Sequence, residues 1–256
     1  MLSCDLKGKT AILTGATGQL GRVMAASMAE CGADLILCYA NNTEKANELK
    51  AKLESEYGVK VYTYCCDICR NEEVMAMRDA VAAEFKMPDI VVDCAVIQYE
   101  PWLPVLEQPI EDYVSQFESC VLHNVNMAKA FIPHMIEQKY GRFIGINTEC
   151  AMQTFAGQSA YVAGKRGMDG IMRVLANEVG QYNITVNQVA PGWTISERDR
   201  INHTEYHEEY NSKVPLRRRG TDQEIANVVA FLASDLSSYI TGAYIPVCGG
   251  NVMPRI

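Results

Sequence analysis

No stretch of about 18 apolar residues occurs in this 256-residue chain, so no membrane-spanning helix is expected. The first nine residues, Met1 to Lys9, hold no long apolar run, so no secretory signal is expected and the chain reads as cytoplasmic. Basic residues are in deficit: 23 Lys and Arg stand against 31 Asp and Glu, a formal charge of −8. The basic surface that phosphate backbones require is missing, which argues against a nucleic-acid partner. The one basic run, Arg217-Arg218-Arg219, is short and reads as a solvated loop. Disulfide spacing is absent as well. The ten cysteines are scattered through apolar segments, as at Cys31, Cys38, Cys94 and Cys150, where they serve as small hydrophobes in a reducing compartment. Cys66 and Cys69 form a C-x-x-C, but neither a helix N-terminus nor a second ligand pair accompanies them, so no metal site is expected. No repeat, low-complexity segment or linker interrupts the chain, so residues 1–256 are expected to form one domain.

What is present is a regular alternation. Hydrophobic residues make up 48% and charged residues 21%, the balance of an ordinary globular protein. Short apolar runs at Lys9–Thr14, Asp34–Tyr39, Val59–Cys65, Asp89–Asp93, Arg142–Thr148, Thr185–Ala190 and Ala243–Cys248 predict strands. Helical periodicity between them predicts helices over Leu20–Cys31, Glu44–Glu56 (capped by Thr43), a segment from a capping Asn71 to Phe85, Ile110–Gln138, Gln158–Gln181 and Asp222–Ser234. Continuous apolar strands alternating with helices imply an α/β fold: a doubly wound parallel sheet of about seven strands, covered on both faces. One polar interruption, residues 194–214, is the candidate substrate lid.

Ligands bind such sheets at the carboxyl ends of the strands. The first turn there is Thr14-Gly15-Ala16-Thr17-Gly18-Gln19-Leu20-Gly21, glycine-rich and followed by a helix N-terminus. Glycine lets backbone approach a pyrophosphate, and the helix offers free N–H groups and a positive dipole end. The second strand ends in Tyr39-Ala40-Asn41-Asn42, with no acid to grip a ribose 2′-hydroxyl or repel a 2′-phosphate. NADP(H) is therefore favoured over NAD(H). Tyr161-Val162-Ala163-Gly164-Lys165 places a phenol and an ammonium one helical turn apart. A nearby cation lowers a phenol's pKa, which suits it to proton exchange with a carbonyl or alcohol oxygen.

Together these segments resemble the short-chain dehydrogenase/reductase family. Thr14, Gly15 and Gly21 match its glycine turn, and Tyr161 and Lys165 its Tyr-x-x-x-Lys pair. Thr148 stands at the family's serine with the same spacing to the tyrosine. The resemblance continues through Asn183–Gly192, Phe231–Asp235 and Tyr239–Gly242, over essentially the whole chain. It implies a Rossmann-like single domain with Thr148, Tyr161 and Lys165 as catalytic residues. It further implies a cofactor held by Gly15, Thr17, Gln19, Leu20, Gly21, Tyr39, Asn41, Asp67, Ile68, Cys94, Ala95, Tyr161, Lys165, Pro191, Gly192 and Thr194. Ser196 is a further candidate hydroxyl.

Four positions depart from the pattern: Gln19 for a glycine, Thr148 for serine, Asp93-Cys94-Ala95-Val96 for N-N-A-G, and Cys120 for a helical asparagine that helps hold a water. His123 and Asn124 offer another route for protons. The implied activity is an NAD(P)(H)-dependent oxidoreductase interconverting a secondary alcohol and a ketone on a small polar, sugar- or polyol-like substrate. The alternatives are a cofactor-binding sensor or pseudoenzyme of the same fold, and a non-redox isomerase or dehydratase. Trp102, Gln153, Trp193, Arg198, His203, Tyr206 and His207 are candidate pocket residues. A homo-oligomer, dimer or tetramer, is implied through the two long helices, where Met127, Phe131, Met168 and Met172 serve either the interface or the core.

Overall fold

Runs of Ile, Val and Leu with no polar alternation can be satisfied only where both faces of a sheet are covered. The computed structural model, which describes residues 4–253, shows this arrangement. The strands are β1 (Thr10–Leu13), β2 (Asp34–Tyr39), β3 (Val61–Cys65), β4 (Ile90–Asp93), β5 (Gly141–Ile146), β6 (Ile184–Pro191) and β7 (Tyr244–Val247). They form one parallel sheet in the order β3-β2-β1-β4-β5-β6-β7. Every residue of β1, β4, β5 and β6 is buried. The strand order reverses between β1 and β4, and this switch point opens the crevice in which such sheets bind ligands.

Helices α1 (Gln19–Glu30), α2 (Thr43–Tyr57) and α9 (Asp222–Ala233) pack on one face, around Leu13, Leu37, Val92 and Ile146. Helices α3 (Asn71–Glu84), α5 (His123–Gln138) and α6 (Ser159–Val179) cover the other, around Ile12, Val91, Phe143 and Val186. Met127, Phe131, Met168 and Met172 all belong to this second core, which decides their role. The caps differ slightly from the expectation. Asn42, not Thr43, caps α2 by accepting from Lys45 N at 2.8 Å. Arg70 precedes α3, and Asn71 is its first helical residue. In both cases neighbouring polar residues compete for the same helix start.

The long region Ile110–Gln138 is helical but not uniform. A short α4 (Ile110–Gln116) passes into a π-helical segment, Phe117–Leu122, and then into α5. Polar side chains bond back to carbonyls at this break: Ser119 Oγ to Ser115 O at 2.8 Å, and Asn124 Nδ2 to Cys120 O at 2.7 Å. Such insertions widen a helix locally. The polar stretch 194–214 carries two short helices, α7 (Glu197–Asn202) and α8 (Glu208–Asn211). Arg219, 2% exposed, gathers it by donating to the carbonyls of Trp193, Thr194 and Thr204 and to Asp199 at 2.7 Å. Arg219 is therefore not part of a solvated basic loop. It is a buried tether.

Candidate active site

The turn after β1 is built from close approaches that only glycine allows. Gly15 sits at φ +63°, and a Cβ there would lie 2.9 Å from Ala95 Cα. A Cβ on Gly21 would lie 2.3 Å from Gly15 O. Thr14 Oγ1 accepts from the N–H of Cys94 at 3.0 Å and of Ala95 at 3.1 Å, fastening the exit of β4 to this turn. Ala16 N donates to Cys38 O at 3.1 Å and brings in the end of β2. Gly15, Gly21, Cys94, Ala95 and Tyr39 are thereby brought to one edge of the sheet. Thr17 and Leu20 share the turn, and Leu20 also packs on the core. A cradle closed to any added Cβ, at the N-terminus of α1, fits a dinucleotide pyrophosphate.

The outer residues of this edge are looser. Tyr39 is 6% exposed and its hydroxyl donates to Thr43 Oγ1 at 3.2 Å, while Asn41 is exposed. Asp67 accepts from Cys69 N at 3.0 Å and caps the turn beyond β3, and Ile68 beside it is buried. On the other side Gly192 lies against Tyr210 and Cys248, and Thr194 Oγ1 donates to Gly192 O at 3.0 Å. Pro191 closes β6. Ser196 is engaged in capping α7.

Gln19 takes a part that its position did not announce. Its amide nitrogen donates to Ile195 O at 2.9 Å and to Asp222 Oδ2 at 3.0 Å, and its amide oxygen accepts from Glu197 N at 3.1 Å. Where the glycine of the resembled pattern would leave space, a side chain ties the glycine turn to the start of the segment 194–214 and to Asp222. Arg200 pairs bidentately with Asp222, at 2.9 and 2.8 Å, and Arg22 pairs with Glu197, so these acids are neutralised.

At the chemical end Thr148 follows β5, and the first turn of α6 carries Tyr161. The Thr148 hydroxyl accepts from Cys150 N at 3.2 Å and, facing the Tyr161 phenol, favours its phenolate form. Burial is stronger and holds the phenol well above its ordinary range. This reverses the depressed value expected from the Tyr-Lys spacing. Lys165 Nζ stands 6.0 Å from the Tyr161 ring centre and donates to Ile146 O at 2.6 Å. Tyr161 N donates to the Tyr99 hydroxyl oxygen at 3.1 Å. Cys120 is fully buried in the π-helical segment, with Sγ 3.9 Å from Gln116 Oε1.

A cavity of about 870 Å³ is present, and Thr148, Tyr161 and Lys165 are not among the residues that line it. Its wall includes Cys150, two residues after Thr148, and Gln158, three before Tyr161. Of the predicted pocket residues, Trp102, Gln153, Trp193 and His207 line it, whereas Arg198, His203 and Tyr206 do not. Tyr210 was not foreseen. Its hydroxyl donates to Glu149 Oε1 at 2.8 Å and accepts from Trp193 N at 2.9 Å. Glu149 also accepts from Asn251 Nδ2 at 3.0 Å, and burial raises its pKa. The only signal in the sequence was an acid immediately after Thr148. Among the described residues no cluster of His, Cys, Asp and Glu fit for a metal occurs, and no helix is long and apolar enough to cross a membrane.

The sheet, its glycine cradle and the Thr-Tyr-Lys constellation define a nicotinamide-nucleotide oxidoreductase. Comparison with known proteins narrows the class. The family model described as enoyl-(acyl carrier protein) reductase matches residues 15–251. A 3-oxoacyl-[acyl-carrier-protein] reductase of Staphylococcus aureus (strain N315) is 34% identical over 246 residues, covering 96% of this chain and 98% of that protein. Its namesake in Pseudomonas aeruginosa is 33% identical over 249 residues, covering 97% and 99%. An NAD+-bound xylitol dehydrogenase superposes with a TM-score of 0.88 at 29% identity, covering 96% of this chain and 99% of the other. A gluconate 5-dehydrogenase of Burkholderia cenocepacia, in complex with NADP and tartrate, gives 0.88 at 25%, covering 97% and 96%. The chain belongs to the short-chain dehydrogenase/reductase family and is an NAD(P)-dependent dehydrogenase/reductase.

Proposed function

We propose that this enzyme prefers NADP(H) and interconverts a secondary alcohol and a ketone on a small, polar, polyol-like substrate. The observation that carries this reading is Lys165 Nζ standing 6.0 Å from the Tyr161 ring, with the Thr148 hydroxyl acting on the same phenol and a cavity lined by their chain neighbours Cys150 and Gln158. When bound, a nicotinamide supplies or accepts the hydride. Thr148 holds the substrate oxygen through its hydroxyl. Tyr161, kept protonated by burial, gives its Oη proton to that oxygen as the carbonyl is reduced, and takes it back in the reverse direction. Lys165 supplies positive charge to the phenolate that remains. Gly15, Gly21 and the free N–H groups of α1 would hold the pyrophosphate. Tyr39 and Asn41 would face the adenine ribose, where neutral donors tolerate a 2′-phosphate.

The substrate class rests on the cavity wall. Trp102, Phe155 and Trp193 give flat apolar surfaces, and Gln153 and Gln158 add amides whose Oε1 atoms are buried and unpartnered. Unpartnered acceptors favour a ligand rich in hydroxyl donors. The names of the curated relatives favour a second reading, a 3-oxoacyl thioester. Residues 194–214 act as the lid over this cavity. The enzyme works in the cytoplasm and associates with copies of itself through its long helices. A panel of ketoses, keto acids and 3-oxoacyl thioesters, followed by loss of reduced-nicotinamide absorbance with NADPH and NADH, tests all of this. Reduction of a ketose with NADPH is expected. Turnover of the thioesters alone, or cofactor binding with no turnover of any compound, would overturn the substrate reading or the enzymatic one respectively.

A further inference from the structure

Behind the site, on the face covered by α5 and α6, polar groups gather that the mechanism does not use. Asp93 closes β4, and its side chain is fully buried. His123, the first residue of α5, is 1% exposed, with Nε2 3.4 Å from Asp93 Oδ1. That separation permits charge pairing but the groups are not aligned as a direct hydrogen bond. Both carboxylate oxygens and Nε2 are left without a protein partner. Asn124 Oδ1 is a fourth such atom. It hangs over Gly145, the register partner of Asp93, within 3.4 Å of where a Cβ would stand. Lys165 Nζ donates to the next residue of that strand, Ile146. Carboxylate, imidazole, amide oxygen and ammonium thus converge on one stretch of β4 and β5.

The other ring nitrogen fixes the tautomer. His123 Nδ1 faces Ser119 O at 3.2 Å, an acceptor only, so Nδ1 carries hydrogen. Nε2 then faces a carboxylate across a gap, and one proton serves both groups. Buried polar atoms left unpartnered by protein are satisfied by ordered water. The other groups acting on Asp93 are Lys165 from α6, Cys38 from β2 and Cys94 from its own strand exit, while Cys120 lies one turn before His123. Burial raises the Cys94 thiol to about 11, and its bond to Cys66 with burial raises Cys38, so both stay neutral. Burial likewise raises the Asp93 carboxyl, against the pull of His123 and Lys165.

We propose that Asp93 and His123 form a relay pair that refills the Lys165–Tyr161 acid with a proton after each reduction. The inference rests on the reductase reading above. Once Tyr161 has given its Oη proton to the substrate oxygen, the phenolate takes a proton from the Lys165 ammonium. The lysine amine takes one in turn from the pair, through ordered water. The pair is left as carboxylate and neutral imidazole and regains its proton from solvent. Alcohol oxidation runs each transfer backwards, and no further oxidant or reductant enters.

Asp93→Asn and His123→Asn test the relay. Asp93→Asn restores the amide of the resembled family pattern, and thermal unfolding checks that both variants fold. Each is expected to lower kcat for reduction about tenfold, with KM for the reduced cofactor held within about twofold, and imidazole buffer is expected to restore kcat. Independently of activity, the ring nitrogens of His123 are followed by NMR, assigned through His123→Asn. The Nε2 chemical shift is expected to change in Asp93→Asn while Nδ1 stays protonated against Ser119 O. Unchanged kcat and pH profile, a loss that imidazole fails to rescue in a folded variant, or an Nε2 shift indifferent to Asp93 would each overturn the relay. Full activity in Tyr161→Phe would instead overturn the reductase reading and leave the Nε2 shift to judge the pair.

Discussion

At the scale of single residues the site depends on one phenol whose environment pulls in two directions. Burial holds the Tyr161 proton on, while Thr148 favours its release, and burial prevails. A proton held through neutral pH suits the reducing direction, which consumes it. The oxidising direction needs phenolate, so alcohol oxidation should climb with pH into the alkaline range while ketone reduction does not. Parallel pH profiles in the two directions would contradict this. Tyr161→Phe should lower kcat about 10²–10⁴-fold, as expected for loss of a positioned proton donor. Thr148→Ser keeps the hydroxyl and should retain most activity, whereas Thr148→Ala should not. Gly21→Ala asks for space that Gly15 O occupies, so it should cost about 1–3 kcal/mol in stability by denaturant unfolding and weaken cofactor binding measured by fluorescence.

At the scale of elements the informative feature is the segment between β6 and α9. Its polar composition made it a candidate lid, yet Gln19 ties its start to the turn after β1, and Arg219 draws Thr194, Asp199 and Thr204 together within it. Asp199 receives the Arg219 guanidinium and the Ser196 hydroxyl, which hold its carboxyl well below the ordinary range. A depressed carboxylate stabilises the fold above its unfolded pKa, and that contribution is lost as pH falls through the folded one. The segment 194–214 should therefore loosen in acid before the sheet does, seen as faster amide exchange there. Arg219→Met removes a buried donor to three carbonyls and a carboxylate. It should destabilise the protein by about 2–4 kcal/mol, read from thermal unfolding. Gln19→Gly restores the residue of the resembled pattern and should raise amide exchange over 194–214 while sparing overall stability; unchanged exchange would refute its role as a strap. The π-helical segment belongs to this scale too. It places Cys120 and His123 against the sheet, and periodicity alone gave no sign of it because both helix types carry the same polar and apolar residues.

At the scale of the whole molecule, exposed apolar residues remain on the helices nearest the site. Ile110, Val114 and Phe117 form an exposed stripe at helical spacing, and Val174 on α6 is 58% exposed. Burying such a stripe between copies would offset its exposure to water. Sedimentation should give a multiple of 28.4 kDa, and Phe117→Glu should shift the mass toward the monomer. A wild-type chain that sediments as a monomer would refute the assembly. The strands were legible in the sequence because parallel pairing demands continuous apolar runs, and all seven lie within two residues of their predicted limits. The glycine turn and the Tyr161–Lys165 pair were legible because spacing fixes which side chains share a turn. Arg219, Tyr210 and Glu149 were not, since each acts through a partner at least 20 residues away in the chain.

The amino-acid order alone determined the strand–helix alternation, the glycine turn after β1 and the Tyr161–Lys165 spacing. Those follow from local periodicity and from what glycine, phenol and ammonium can do. Tertiary structure decided which residues act together. It half-buried Tyr161 so that desolvation outweighs its neighbours, turned Gln19 into a strap, and set His123 against Asp93. Burial and long-range contact depend on the packed neighbours of each group, and no run of sequence displays them.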